Sequence, residues 1–96
     1  MKTLQEIVQI LQKHKNEITE KYGIKRLKIF GSYVEGKQKE ASDVDIVVEF
    51  ETPPTLLELV RIEEELSRIL GVKVDLLTEE GMSPYIRPYI KEVEVL

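Results

Sequence analysis

The sequence contains no cysteine and only one histidine, and each absence excludes a kind of chemistry. Without cysteine there is no disulfide framework, no thiolate metal site and no cysteine nucleophile. The single histidine, His14, excludes a histidine-rich metal site and argues against a serine–histidine–aspartate triad. Carboxylates are therefore the most informative chemical groups that remain.

Long hydrophobic runs and an excess of positive charge are also missing. No apolar stretch approaches the ~18 residues of a membrane-spanning helix, and the N-terminus lacks the pattern of a signal peptide. We therefore expect a soluble, cytoplasmic protein that does not associate with membranes. The formal net charge of −4 argues against direct binding to duplex nucleic acid, which normally requires a basic surface. At 96 residues the chain is expected to form one domain, residues 1–96.

The hydrophobic pattern predicts helices and strands in alternation. Two capping boxes, at residues 3–6 and 55–58, predict helices that run to Gly23 and Gly71. Alternating or β-branched runs predict strands at 26–30, 43–50, 72–77 and 92–96, with a short helix at 84–90. This order predicts an α/β (α+β) fold, with a small mixed β-sheet and helices on one face.

Aspartate is scarce, since only three of the eighteen acidic residues are aspartates, and all three lie in strand-like runs. Asp43 and Asp45 are two residues apart and therefore share one face of their strand. Asp75 lies on the next predicted strand, opposite Val74 and Leu76. If the apolar sides of both strands pack on the same helices, all three carboxylates emerge on one side of the sheet, close enough to share a divalent-ion site.

Three carboxylates that converge without basic partners repel one another and raise one another's pKa, and a hard cation removes that repulsion. Magnesium prefers oxygen ligands, retained waters and substrate phosphates. The alternative is that these are ordinary solvated acids at strand edges. Aspartate is depleted in strands, however, and the chain uses glutamate at every other acidic position. The pattern therefore favours a metal site.

Gly31 and Ser32 end the first predicted strand and form a candidate phosphate site. Glycine permits close approach of a backbone, and a hydroxyl with helix N-terminal amides binds phosphate. Gly-Ser pairs also mark ordinary turns. The phosphate interpretation requires that this pair lie beside Asp43 and Asp45, and hence that the first two strands run antiparallel.

The other polar and aromatic candidates are expected to have structural roles. The run Glu63-Glu64-Glu65 is interpreted as a solvated helix face, and Tyr85 and Tyr89 are expected to pack the short helix against the body.

The run GSYVEG at 31–36, followed by SDVD at 42–45, resembles the Gly-Ser…Asp-x-Asp signature of the DNA polymerase β nucleotidyltransferase superfamily. Ten residues separate Ser32 from Asp43, which fits that pattern. The short chain, the strand through Phe50 and the ending at 83–88 are similar to the minimal nucleotidyltransferases (MNT). Members of that family are commonly the antitoxin half of HEPN/MNT toxin–antitoxin pairs.

The resemblance implies a nucleotidyltransferase core that moves a nucleoside monophosphate, AMP from ATP, to a protein hydroxyl. The implied acceptor is a tyrosine of a HEPN toxin, so the implied partners are that toxin and the nucleotide; a homo-oligomer is left open. Asp43 and Asp45 would hold two Mg²⁺ ions, and Asp75 would complete the catalytic and metal site near the attacking oxygen. Gly31 and Ser32 would bind the triphosphate.

A noncatalytic antitoxin, which neutralises its partner by contact alone, is the alternative. Many members of the family carry Ala-Arg-Gly where this chain has Val34-Glu35-Gly36, so a negative charge replaces the usual positive one. Glu35 favours the contact-only alternative, whereas the restriction of aspartate to three strand positions favours the enzyme.

Overall fold

The computed structural model describes residues 2–85 and 87–96, in which helices and strands alternate as predicted. The elements are α1 (Leu4–Lys13), α2 (Lys15–Tyr22), β1 (Ile24–Phe30), α3 (Ser32–Glu35), β2 (Val44–Phe50), α4 (Leu56–Leu70), β3 (Val74–Thr78), a 3₁₀ helix (Arg87–Tyr89) and β4 (Glu92–Glu94). Both capping boxes form, because the Thr3 and Thr55 hydroxyls each accept a hydrogen bond from the amide three residues on. Gly23 and Gly71 follow α2 and α4 in the left-handed conformation that favours glycine.

The four strands form one mixed sheet in the order β3-β2-β1-β4. Strand β1 runs antiparallel to both β2 and β4, whereas β2 and β3 are parallel. A parallel pair needs a crossover connection, and α4 supplies it. The predicted fold class is confirmed, including the antiparallel arrangement of the first two strands.

The helices cover one face of this sheet, and the hydrophobic core lies between them. The buried residues of this core include Ile7, Leu11, Ile18, Leu27, Ile29, Val44, Ile46, Val48, Ile62, Leu66, Leu70 and Val74. The opposite face, which we call the open face, carries mainly charged side chains: Lys28, Asp45, Glu49, Asp75, Glu92 and Glu94. Alternation along the strands thus separates the core from the polar surface.

The first predicted helix is in fact two helices that meet at His14. The amide of His14 bonds to the carbonyls of Ile10 and Leu11 at 3.2 Å, and its own carbonyl accepts the amide of Ile18 at 2.9 Å. The apolar pattern does not reveal this break, because Leu11 and Ile18 are seven residues apart and share a face with or without it. No helix in the described ranges combines the length and apolar character needed to cross a membrane.

The C-terminal segment departs most from prediction. A 3₁₀ turn at Arg87–Tyr89 replaces the expected helix, and Ile86 lies outside the described residues. Pro88 lacks the amide hydrogen that an α-helix over 84–90 would need at that position. Tyr85 and Tyr89 are exposed, so the prediction that they pack on the body is wrong. The predicted final strand is confirmed over Glu92–Glu94, where it pairs with β1.

Candidate active site

The structure brings the three aspartates to one end of the open face. Asp45 and Asp75 are directly paired on the parallel strands β2 and β3, so their Cα atoms lie one strand spacing apart, about 4.8 Å. Asp43 immediately precedes β2, and its carboxylate is near enough to that of Asp45 to affect its ionisation. Asp75 is exposed, whereas Asp43 and Asp45 are half-buried. The predicted convergence on the face opposite the helices is therefore confirmed.

The electrostatics of Asp45 reflect this crowding. Partial burial raises the pKa of Asp45 above its usual value, and the carboxylates of Asp75 and then Asp43 raise it further. A lysine offers Asp43 only weak compensation, since the Lys73 Nζ atom lies 3.9 Å from the Asp43 carboxylate and that lysine side chain is 77% exposed. The cluster therefore carries negative charge that a bound cation would stabilise.

Gly31 lies directly against Asp45. Phe30 is the cross-strand partner of Asp45, so the next residue passes beside the carboxylate as β1 ends. A Cβ atom on Gly31 would overlap the Asp45 Oδ2 atom and lie 3.0 Å from its Cγ. The backbone of Gly31, with φ 78° and ψ −148°, also belongs to a region that only glycine adopts readily. Glycine is thus required twice at this position, for conformation and for space.

Ser32 follows Gly31 as the first residue of α3, and its side chain is half-buried. Helix α3 is a single turn, closed by bonds from the Val34 and Glu35 amides to the Gly31 carbonyl, both 3.1 Å. The Gly31-Ser32 pair therefore lies beside the aspartates, as the phosphate interpretation requires. Glu35 is exposed at the other end of this turn.

The donor set suits a hard divalent cation held with substrate. The carboxylates are adjacent, accessible from solvent and short of positive partners, as Mg²⁺ sites built from few protein ligands require. In residues 2–85 and 87–96, no three acidic or histidine side chains already surround a point where they could hold an ion. The arrangement therefore fits an ion that keeps waters and shares phosphate oxygens, rather than a closed cage of protein ligands.

Two side chains of α4 hold the strand that carries Asp75. The amide of Leu76 donates to Glu63 Oε2 at 3.0 Å, and the amide of Val74 donates to Ser67 Oγ at 2.9 Å. These amides flank Asp75 on an edge strand, so the two bonds fix the backbone on both sides of that residue. We call this pair of contacts the α4 clamp.

The interpretation of residues 63–65 as only a solvated face is therefore wrong for Glu63, and Glu65 accepts a hydrogen bond from Lys21 at 2.9 Å. A sequence signal was available for the α4 clamp. Glu63 and Ser67 are four residues apart and each follows a residue of the buried stripe, so both lie at its border.

A family profile described as the nucleotidyltransferase domain matches residues 11–94, a range that contains Gly31, Ser32 and all three aspartates. The chain belongs to the nucleotidyltransferase domain family. The family and enzyme class predicted from the sequence are thereby confirmed, while the roles of individual site residues stay predictions. This nucleotidyltransferase is 45% identical over 94 residues to the protein adenylyltransferase MntA of Thermococcus cleftensis, covering 97% of this chain and 95% of that protein.

Two solved structures share the fold of this nucleotidyltransferase. One is a toxin–antitoxin complex with AMP-PNP, matched with a TM-score of 0.72 at 19% identity over 88% of this chain and 72% of that chain. The other contains a tri-AMPylated HEPN toxin of Shewanella oneidensis in complex with its MNT antitoxin. It matches with a TM-score of 0.67 at 17% identity over 93% of this chain and 71% of that one.

Proposed function

We propose that this nucleotidyltransferase transfers AMP from ATP to a tyrosine hydroxyl of a HEPN-type toxin and thereby acts as its antitoxin. Support for protein adenylylation comes from the name of the Thermococcus relative, which is 45% identical over nearly the whole chain. Support for a HEPN partner comes from the fold shared with an MNT antitoxin bound to a tri-AMPylated HEPN toxin.

The observation that carries the proposal is the placement of Asp45 between Asp75 and the Gly31-Ser32 turn, on the face of the sheet opposite the hydrophobic core. Asp43 and Asp45 would hold two Mg²⁺ ions, with Asp75 completing the set. Such ions neutralise phosphate charge and stabilise the attacking and leaving oxygens of a displacement. Burial and then the neighbouring carboxylates raise the pKa of Asp45, and a bound cation would offset both effects.

The chain's own groups would then position the reactants. Gly31 admits the triphosphate close to the backbone, and the Ser32 hydroxyl donates a hydrogen bond to a phosphate oxygen. The tyrosine oxygen of the toxin attacks the α-phosphorus, the bond from that phosphorus to the bridging oxygen breaks, and pyrophosphate leaves. Asp75 is exposed on the edge strand and accepts the hydroxyl proton.

The test combines the protein, ATP labelled at the α-phosphate, Mg²⁺ and a HEPN toxin. We expect label on a toxin tyrosine and loss of the toxin's ribonuclease activity, and we expect neither with Asp43→Asn or Asp45→Asn. Inhibition of the toxin by both variants without transfer of label would instead establish the contact-only antitoxin. The exposed Glu35 is the feature that favours that outcome.

A further inference from the structure

Two tyrosines of the C-terminal segment are almost fully exposed. Tyr85 and Tyr89 are each 86% accessible to solvent, whereas Tyr33 is buried and Tyr22 is half-buried. Their exposure leaves both phenolic hydroxyls accessible to a reactant from solvent. Both belong to the connection from β3 to β4, which is described at residues 79–85 and 87–91 and which we call the crossing segment.

Ion pairs anchor the crossing segment to the open face. At its start, Glu79 pairs with Arg87 and lies 3.9 Å from the Lys28 Nζ atom. Just beyond its end, Glu92 lies 3.2 Å from the same lysine nitrogen. Lys28 projects from β1 on the open face, where its cross-strand partner is Val47 of β2. Val47 is only 1% exposed although the helices lie on the other face, so another part of the chain covers it. The segment therefore crosses the open face over Val47.

The end of the crossing segment approaches the aspartates. Asp75, Asp45, Phe30 and Glu92 are successive cross-strand partners and form one row on the open face. Two strand spacings place Glu92 about 10 Å from Asp45. Tyr89 precedes Glu92 by three residues, a span of at most about 11 Å. Tyr85 is seven residues from Glu92, a span of up to about 25 Å, so the chain does not hold it near this row.

We propose that Tyr89 is an intramolecular acceptor, so that the chain adenylylates itself when no partner is present. The inference rests on the proposed function, since it uses the same ATP and the same aspartates. The Tyr89 oxygen attacks the α-phosphorus of ATP, the bond from that phosphorus to the bridging oxygen breaks, and pyrophosphate leaves. The phenolic proton passes to Asp75 and then to solvent. The product is one adenylyl group on Tyr89.

The experiment incubates the full chain alone with ATP and Mg²⁺, followed by intact-mass measurement and peptide mapping. We expect one adenylyl group on the peptide that contains Tyr89, with a first-order rate that does not change when the protein is diluted tenfold. Tyr89→Phe should abolish the modification, as should Asp45→Asn. Tyr85→Phe is the matched control, because it removes an equally exposed tyrosine from the same segment and should leave the modification unchanged.

A parallel reaction contains a HEPN toxin and separates the two proposals. Label on the toxin without label on the isolated chain would overturn the self-modification and leave the proposed function intact. Equal modification of Tyr85, or a rate proportional to protein concentration, would also overturn the assignment of Tyr89 as an intramolecular acceptor. Absence of label from both proteins would overturn both proposals together.

Discussion

Replacement of Gly31 by alanine tests the contact between the phosphate turn and the aspartates. The added Cβ atom would overlap Asp45 Oδ2 and lie 3.0 Å from Cγ and 3.3 Å from Cβ of the same residue. The carboxylate must therefore turn away, or the end of β1 must shift. Either movement displaces an oxygen that the proposed site needs in one position.

Two costs add in the Gly31→Ala variant. A residue with a side chain in this backbone region costs about 1–3 kcal/mol, and the steric overlap adds to it. A loss of about 2 kcal/mol lowers the melting temperature of a domain of this size by on the order of 10 °C. Displacement of a catalytic group by roughly 1 Å reduces the rate by about 100-fold. We therefore expect a folded, destabilised variant whose AMP transfer is reduced at least that much.

Gly36→Ala is the matched control. Gly36 also has a positive φ, 72°, but a Cβ atom there meets nothing within 4 Å. Its substitution should cost about 1–2 kcal/mol from the left-handed backbone alone and should leave the transfer rate near that of wild type. Thermal melts and transfer of α-labelled AMP measure both effects. Equal transfer by Gly31→Ala and Gly36→Ala would refute the proposed contact with Asp45.

Three further predictions concern the α4 clamp, a helix cap and the charge of the site. Glu63→Ala leaves the Leu76 amide without its partner, so we expect about 1–3 kcal/mol of destabilisation and a higher Mg²⁺ concentration for half-maximal transfer. Glu64→Ala, at an exposed position, should change neither. Thr55→Ala should lower stability by about 1 kcal/mol in urea denaturation without altering the kcat of transfer, and a change in kcat would contradict a purely structural cap. Asp45 has a pKa raised above its unfolded value, so its ionised form destabilises the metal-free fold above that pKa. In chelator at pH 7, Asp45→Asn should therefore melt at a higher temperature than wild type. This gain in melting temperature should vanish as the pH falls through the raised pKa, because the wild-type carboxyl is then protonated. A gain that persists in acid would show that ionisation of Asp45 is not its cause.

The parts of this fold that depend on local chemistry could be predicted from the sequence. The capping boxes at Thr3 and Thr55 and the glycines at 23 and 71 act within one helix turn, so their residues alone indicate where helices begin and end. The shared face of Asp45 and Asp75 follows from strand alternation, once both strands pack on the same helices.

The parts that were missed depend on contacts between distant segments. Glu63 bonds to the Leu76 amide thirteen residues away, and its position at the border of the buried stripe does not identify that distant partner. The ion pairs that anchor the crossing segment join Lys28 of β1 to Glu79 and Glu92, which are more than fifty residues away along the chain. The break at His14 leaves the helical phase unchanged, so the spacing of the apolar residues does not reveal it.

The central claim is that the aspartates beside Gly31 form the nucleotide and metal site. Its most direct test is the protection of the protein by ATP against thermal unfolding, measured with Mg²⁺ and with chelator for wild type and Asp45→Asn. Ligand at about 100 times its Kd stabilises a folded protein by about 2.7 kcal/mol. We predict such protection for wild type only when Mg²⁺ is present, and none for Asp45→Asn. Equal protection of both proteins by ATP and Mg²⁺ would contradict the assignment of the site.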